Sequence, residues 1–124
     1  MSVASSWIAA GALYCAAAIA AGAFGAHGLK ARLDADALAL WETAARYLMY
    51  GGLGAVAVGL ASLHDPKRGF SVAAVMLLAG TAVFSGTVAA LALGGPRWLG
   101  AVTPIGGLFL ILGFVVFAMT AWRL

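Results

Sequence analysis

The chain has 124 residues, 65% of them hydrophobic and only 9% charged, with a mean hydropathy of +1.06. Charged residues make up about a quarter of an ordinary soluble domain, so this chain lacks the polar shell that a water-soluble globule needs, and lipid must stand in its place. The net charge of +3 comes from seven basic residues scattered at segment ends, which excludes the clustered basic track of a nucleic-acid binder, and the single Cys15 excludes an intrachain disulfide or a multi-cysteine metal site.

Charges divide the chain. Residues 8–26, 47–63, 69–96 and 98–122 carry none. A helix crosses hydrocarbon about 30 Å thick with about 20 apolar residues, and lipid offers the backbone no partners outside helices and closed barrels. None of the four runs alternates apolar and polar residues as a barrel strand would. The expected fold is therefore all-α: an integral membrane four-helix bundle, one domain over 1–124, with helices at about 6–27, 37–63, 69–93 and 104–122.

The first run begins in the stretch MSVASSWIAAGALYC. It has no basic residue ahead of the apolar stretch, Tyr14 before Cys15 makes a poor lipoprotein cleavage site, and the run reaches spanning length, so it reads as a retained helix rather than a signal peptide. Cys15 reads as a small buried hydrophobe. Alanine and glycine at 9–12, 16–18 and 20–23 suit close helix contact, which in lipid replaces the hydrophobic drive. The run ends in G22-A-F-G-A-H-G28, where His27 sits between glycines before the first charges.

The second helix is predicted to start after an Asp36 N-cap and to be longer than a crossing requires, so Trp41, Glu42 and Arg46 project beyond the hydrocarbon. Glu42 and Arg46 are four apart in the favourable order for an ion pair. Tyr47 and Tyr50 extend this patch, Thr43 is nearby, and a hairpin brings His27 to the same level. The candidate interfacial polar cluster is thus His27, Glu42, Arg46, Tyr47 and Tyr50. One reading is a site in which His27 bonds or titrates while the Glu42–Arg46 pair orients it. The plainer reading, which we favour, is a polar cap that satisfies the loop backbone.

H64-D-P-K-R68 reads as a polar turn, with Pro66 stopping the helix and His64 solvated. Helix three holds the only central polar groups, Ser85 and Thr87 in F84-S-G-T87, whose hydroxyls are expected to serve packing. It ends at G94-G-P-R97. T103-P104 suggests an N-cap followed by proline at the first helical position, leaving W98-L-G-A-V102 in the interface. Glycines 51, 52, 54 and 59 in helix two, and 106, 107 and 113 in helix four, continue the small-residue pattern. Trp7, Trp41, Trp98 and Trp122 lie near span ends, as belts at headgroup level do. Lys30, Arg32 and Arg97, with Arg46, fall on one side and Lys67, Arg68 and Arg123 on the other, so charge sets no orientation.

Ionisable residues at bilayer depth are costly and functional by default, and no run has one at its centre. Metal-ligand spacing, nucleophile elbow, phosphate loop and paired carboxylates are all absent from the sequence. The expectation is a protein without enzymatic activity and without cofactor or metal.

The blocks G22-A-F-G-A-H-G28, W41-x-T-A-x-x-Y47, F84-S-G86 with L91-A-L93, and T103-P-x-G-G107 followed by Phe109 resemble the YgdD-like family. That is a domain-of-unknown-function family of small bacterial membrane proteins with eukaryotic relatives. The resemblance runs from Gly22 to Leu124 with the blocks in order. It implies four membrane helices, an inner-membrane location and cytoplasmic termini, and it implies no reaction. Such proteins often carry a histidine where this chain has Gly51, so a two-histidine haem or metal site would lack one member here.

Three functions are weighed on this basis. The first is a non-enzymatic membrane protein, surrounded by the lipid bilayer, that packs as a homo-oligomer or as an accessory subunit of a membrane complex. The second is a small transporter, which resembles this chain in size but needs a carboxylate that helix one lacks. The third is a lipid or cofactor binder using the interfacial cluster.

Overall fold

The computed structural model describes residues 2–124 and is all-helical. Helix α1 (Val3–Phe24) passes into a π-helical turn (Gly25–Leu29), followed by α2 (Ala35–His64), α3 (Arg68–Ala92) and α4 (Leu99–Trp122). All four are long and apolar enough to cross a membrane, with the π turn extending the first.

Local chemistry sets the ends. The Ser2 hydroxyl accepts from the Ser5 N–H at 3.1 Å and caps α1. Asp34, not Asp36, caps α2: its carboxylate accepts from the Ala37 N–H at 2.8 Å. Asp36 falls in the first turn, where a negative charge complements the helix dipole. At the end of α3, Gly94 takes φ +91°, the left-handed conformation that closes a helix, and the Gly95 N–H returns to the Ala90 carbonyl at 2.7 Å.

Helix α4 starts five residues earlier than the Thr103–Pro104 reading placed it. Leu99, Gly100 and Ala101 donate to the carbonyls of Pro96, Arg97 and Trp98, a tight first turn that carries W98-L-G-A-V102 into the helix. Thr103 is no N-cap, because its hydroxyl bonds the Leu99 carbonyl at 3.0 Å within the helix. Pro104 is tolerated in the second turn since it removes only one donor there, the one that would reach Gly100.

The helices pack in chain order, α1 on α2, α2 on α3 and α3 on α4, while α2–α4 and α1–α3 contacts are slight and α1 and α4 do not meet. The bundle is thus an open layer rather than a closed ring. Within the spanning windows 17% of residues are buried in α1 and in α4, against 33% in α2 and 39% in α3, which makes the last two the inner helices.

Glycine makes the seams. A Cβ on Gly11 of α1 would fall 2.5 Å from the Gly52 carbonyl oxygen of α2, and one on Gly52 would fall 2.8 Å from the Gly11 oxygen. Gly80 and Gly106 repeat this between α3 and α4, with a Cβ on Gly106 2.5 Å from the Phe84 backbone nitrogen. Such backbone approach is how helices gain van der Waals contact in lipid.

Larger side chains gather towards one end. Val58, Phe70, Ala73, Ala74, Leu77 and Leu110 form the core, with Trp7 and Phe117 packed against it. The Phe70 and Phe117 rings meet edge-on at 6.0 Å. Lys67 Nζ of the α2–α3 turn donates to the Arg123 carbonyl at 3.3 Å, so that turn and the C-terminal end share one face of the layer.

Candidate functional site

At the opposite end, α1 and α2 are stapled by Trp41. Its Nε1 donates to the Ala21 carbonyl at 2.8 Å, and its ring meets Phe24 at 6.4 Å. A Cβ on Gly25 would come 2.6 Å from the indole, so glycine there is what admits the ring. Trp41 is therefore half-buried between helices, and Trp7 packs on the core, whereas Trp98 and Trp122 are 65% and 91% exposed, as belt residues are.

The π turn carries His27 on an exposed position. Among the described residues its side chain forms no hydrogen bond or ion pair. On α2, Glu42, Arg46 and Tyr50 share one face at four-residue spacing, all exposed. With Ala18 and Gly22 of α1, and Ala45 and Met49, they line a shallow depression of about 350 Å³. Tyr47 turns towards α3: its ring lies 4.8 Å from Phe84 while still meeting Tyr50 edge-on at 5.1 Å. The expected Glu42–Arg46 bridge is not formed. Among the described residues the ion pair within 4.0 Å is Lys67–Asp65, at 3.5 Å. The structure thus brings together three members of the sequence cluster, Glu42, Arg46 and Tyr50, and directs Tyr47 and His27 elsewhere.

The two hydroxyls of helix three part company. Thr87 bonds the Val83 carbonyl at 2.8 Å and shares a 2.6 Å hydrogen bond with Thr103 of α4. Ser85 is buried with no partner among the described residues. Thr81, passed over in the sequence, is also buried and unpartnered, its hydroxyl pressed against Gly51.

A second concavity of about 390 Å³ lies on α2 between α1 and α3, lined by Tyr14, Ala17, Trp41, Leu48, Ser85 and Ala89 among others. The small side chains of Ala17, Ala21, Ala82 and Ala89 in its lining leave this space unfilled. The Tyr14 hydroxyl closes it by donating to the Leu78 carbonyl at 3.0 Å. No group of three or more His, Cys, Asp or Glu side chains is placed to hold a metal among the described residues.

Four helices long and apolar enough to cross a membrane, with the uncharged runs 8–26, 47–63, 69–96 and 98–122, define a small multi-pass integral membrane protein. Residues 21–107 match the family described as "Protein of unknown function (DUF423)", and the chain belongs to that family. It is 42% identical over 113 residues to a UPF0382 membrane protein of Staphylococcus epidermidis, covering 91% of this chain and 92% of the relative. It is 40% identical over 114 residues to one of Staphylococcus saprophyticus, covering 92% and 94%, and 35% identical over 114 residues to the UPF0382 membrane protein YwdK of Bacillus subtilis, covering 90% and 91%. No solved structure matches the chain. The unknown-function family anticipated from the sequence blocks is thus DUF423, whose relatives carry the UPF0382 name; the YgdD-like label remains a resemblance.

Proposed function

We propose that this protein works by packing rather than by catalysis, as a homo-oligomer or as an accessory subunit of a membrane complex. One observation carries the reading. The outer helix α1 touches α3 only slightly, through the Tyr14 hydroxyl on the Leu78 carbonyl, and does not meet α4, and it leaves Ala9, Ala12, Ala16, Ala20 and Ala23 exposed along one face. At spacings of three and four these form a single smooth ridge. Small residues presented to lipid at that spacing are what a second helix packs against. The resemblance to YgdD-like proteins supports an inner-membrane location with both termini in the cytoplasm.

The test is native mass spectrometry of the protein released gently from its membrane, together with Ala16→Cys cross-linking in a Cys15→Ala background. The expected result is a defined oligomer or a co-purifying subunit at fixed stoichiometry, with efficient cross-linking through position 16. A partner-free monomer that gives no cross-link would overturn the reading.

A further inference from the structure

The unpaired charges on α2 carry a second conclusion, independent of assembly. The uncharged run 47–63 is about 25 Å long at 1.5 Å per residue, a little less than the hydrocarbon layer of about 30 Å. If one boundary lies at His64–Asp65, the other falls near Arg46. Glu42 stands about 6 Å further out, four residues nearer the start of the helix. Tyr50 and Met49 stand as far inward, beside acyl chains.

We propose that this stripe, with the depression beside it, binds the headgroup of a zwitterionic phospholipid bearing a primary ammonium. The covalent order of such a lipid matches the order of side chains along α2. Acyl chains lie lowest, against Met49; Ala18 and Ala45 flank the Arg46 level, and Gly22, next to the Ala21 carbonyl that Trp41 bonds, stands at the Glu42 level, where a Cβ would meet nothing within 4 Å and the surface is open. The phosphate comes next, at Arg46, whose planar guanidinium presents paired donors to phosphate oxygens. The ammonium lies outermost, at the Glu42 carboxylate, an acceptor for its N–H groups. Helical side chains lean towards the N-terminus. In α2 that is the headgroup end, so Arg46 snorkels outward and the Tyr50 hydroxyl rises towards the phosphate level.

Two features separate this from a generic basic interface. Glu42 and Arg46 line the same depression yet do not pair with each other, which leaves both for a ligand that carries both signs. The carboxylate also disfavours anionic lipids, which would meet it with like charge. A quaternary ammonium satisfies the charge but donates no N–H bond, so the surface ranks ethanolamine above choline and choline above glycerol headgroups.

The experiment exchanges purified protein into nanodiscs of equal parts phosphatidylethanolamine, phosphatidylcholine and phosphatidylglycerol, and reads lipids retained after mild release by native mass spectrometry. The wild type is expected to retain phosphatidylethanolamine about two- to fivefold over phosphatidylcholine, the range an exposed charge pair supports. E42Q is expected to abolish that ratio, R46Q to lower retention of every phospholipid, and E42K to move the preference to phosphatidylglycerol. All are exposed positions, and melting temperature is read alongside to verify folding. Equal retention of the three lipids by the wild type, or an ethanolamine preference unchanged in E42Q, would overturn the proposal.

Discussion

Gly11 and Gly52 hold α1 and α2 at backbone contact: a Cβ on the first would sit 2.5 Å from the carbonyl oxygen of the second. Carbonyl oxygens cannot rotate away, so Gly52→Val is expected to push the hairpin apart and to cost about 1–3 kcal/mol or more, as overpacking does. Gly86→Ala is the matched control. It lies within α3 with nothing within 4 Å of the added carbon, and should be neutral or stabilise by about 0.5–1 kcal/mol through helix propensity. Thermal unfolding in a single detergent distinguishes the two; equal melting temperatures would show that the seam is slack.

Thr81 and Gly51 give a different expectation. The hydroxyl is fully buried and has no hydrogen-bond partner, so its removal leaves no orphaned group behind. Thr81→Val is expected to be neutral or to stabilise by about 1 kcal/mol, because replacing an unsatisfied polar group by an apolar one of the same shape removes a desolvation cost. Gly51→Ala is expected to be severe, since its carbon would overlap the Thr81 side chain, and milder in a Thr81→Ala background. A double-mutant cycle measures that coupling.

The Thr87–Thr103 hydrogen bond joins α3 to α4 at 2.6 Å. Each hydroxyl has a single hydrogen, so one donates to the other and that one donates to its own helix carbonyl; with the Val83 and Leu99 carbonyls both in reach, the survivor is not stranded when its partner is lost. Thr103→Ala should therefore cost only about 0.6 kcal/mol, the average for interhelical bonds in lipid. A loss above about 2 kcal/mol, read from unfolding in bicelles, would mean that the pair supports more than itself.

Trp41→Phe keeps the ring against Gly25 but removes the donor to Ala21. The expected loss is about 1 kcal/mol, felt locally as faster amide exchange in the Gly25–Leu29 turn while the core around Phe70 stays protected. Uniformly faster exchange would show that the staple is global.

The contact between Lys67 and the Arg123 carbonyl places the 65–67 turn and the C-terminus on one face. Cysteines introduced at Pro66 and Leu124 in a Cys15→Ala background should both be modified by an impermeant maleimide from the same side of sealed vesicles, and from the other side neither. Labelling from opposite sides would contradict the four-crossing layer.

The sequence showed the four spans because a charge inside hydrocarbon is costly, so charges mark the ends of each run. It was less informative about the ends themselves. Thr103–Pro104 has the residue types of a helix start, yet Trp98 to Val102 are apolar enough to continue the helix outward, and the hydroxyl of Thr103 had Leu99 and Thr87 to bond. Asp34 and Asp36 are both competent caps, and only the backbone geometry selects between them. Helix order was hidden for a deeper reason. In lipid the buried and exposed faces are equally apolar, so side-chain size rather than polarity distinguishes them, and small residues occupy both the Gly11–Gly52 seam and the free ridge of Ala12, Ala16 and Ala20. The candidate cluster was legible in α2, where spacing of four fixes a face, and less so across the loop, where the π turn at Gly25–Leu29 decides how His27 is carried.

The absence of contact between α1 and α4 bears on how the protein is made. Every major interface joins neighbours along the chain, so each segment leaving the ribosome finds its mate already in place. No early helix must wait, half-dressed, for the last one to arrive, and docking needs few long loop closures, the entropic toll that slows folding of non-local topologies. Vectorial synthesis can then finish the hairpin of the first two helices before the fourth has been translated, while the core around Phe70 is completed only when α4 brings in Leu110 and Phe117.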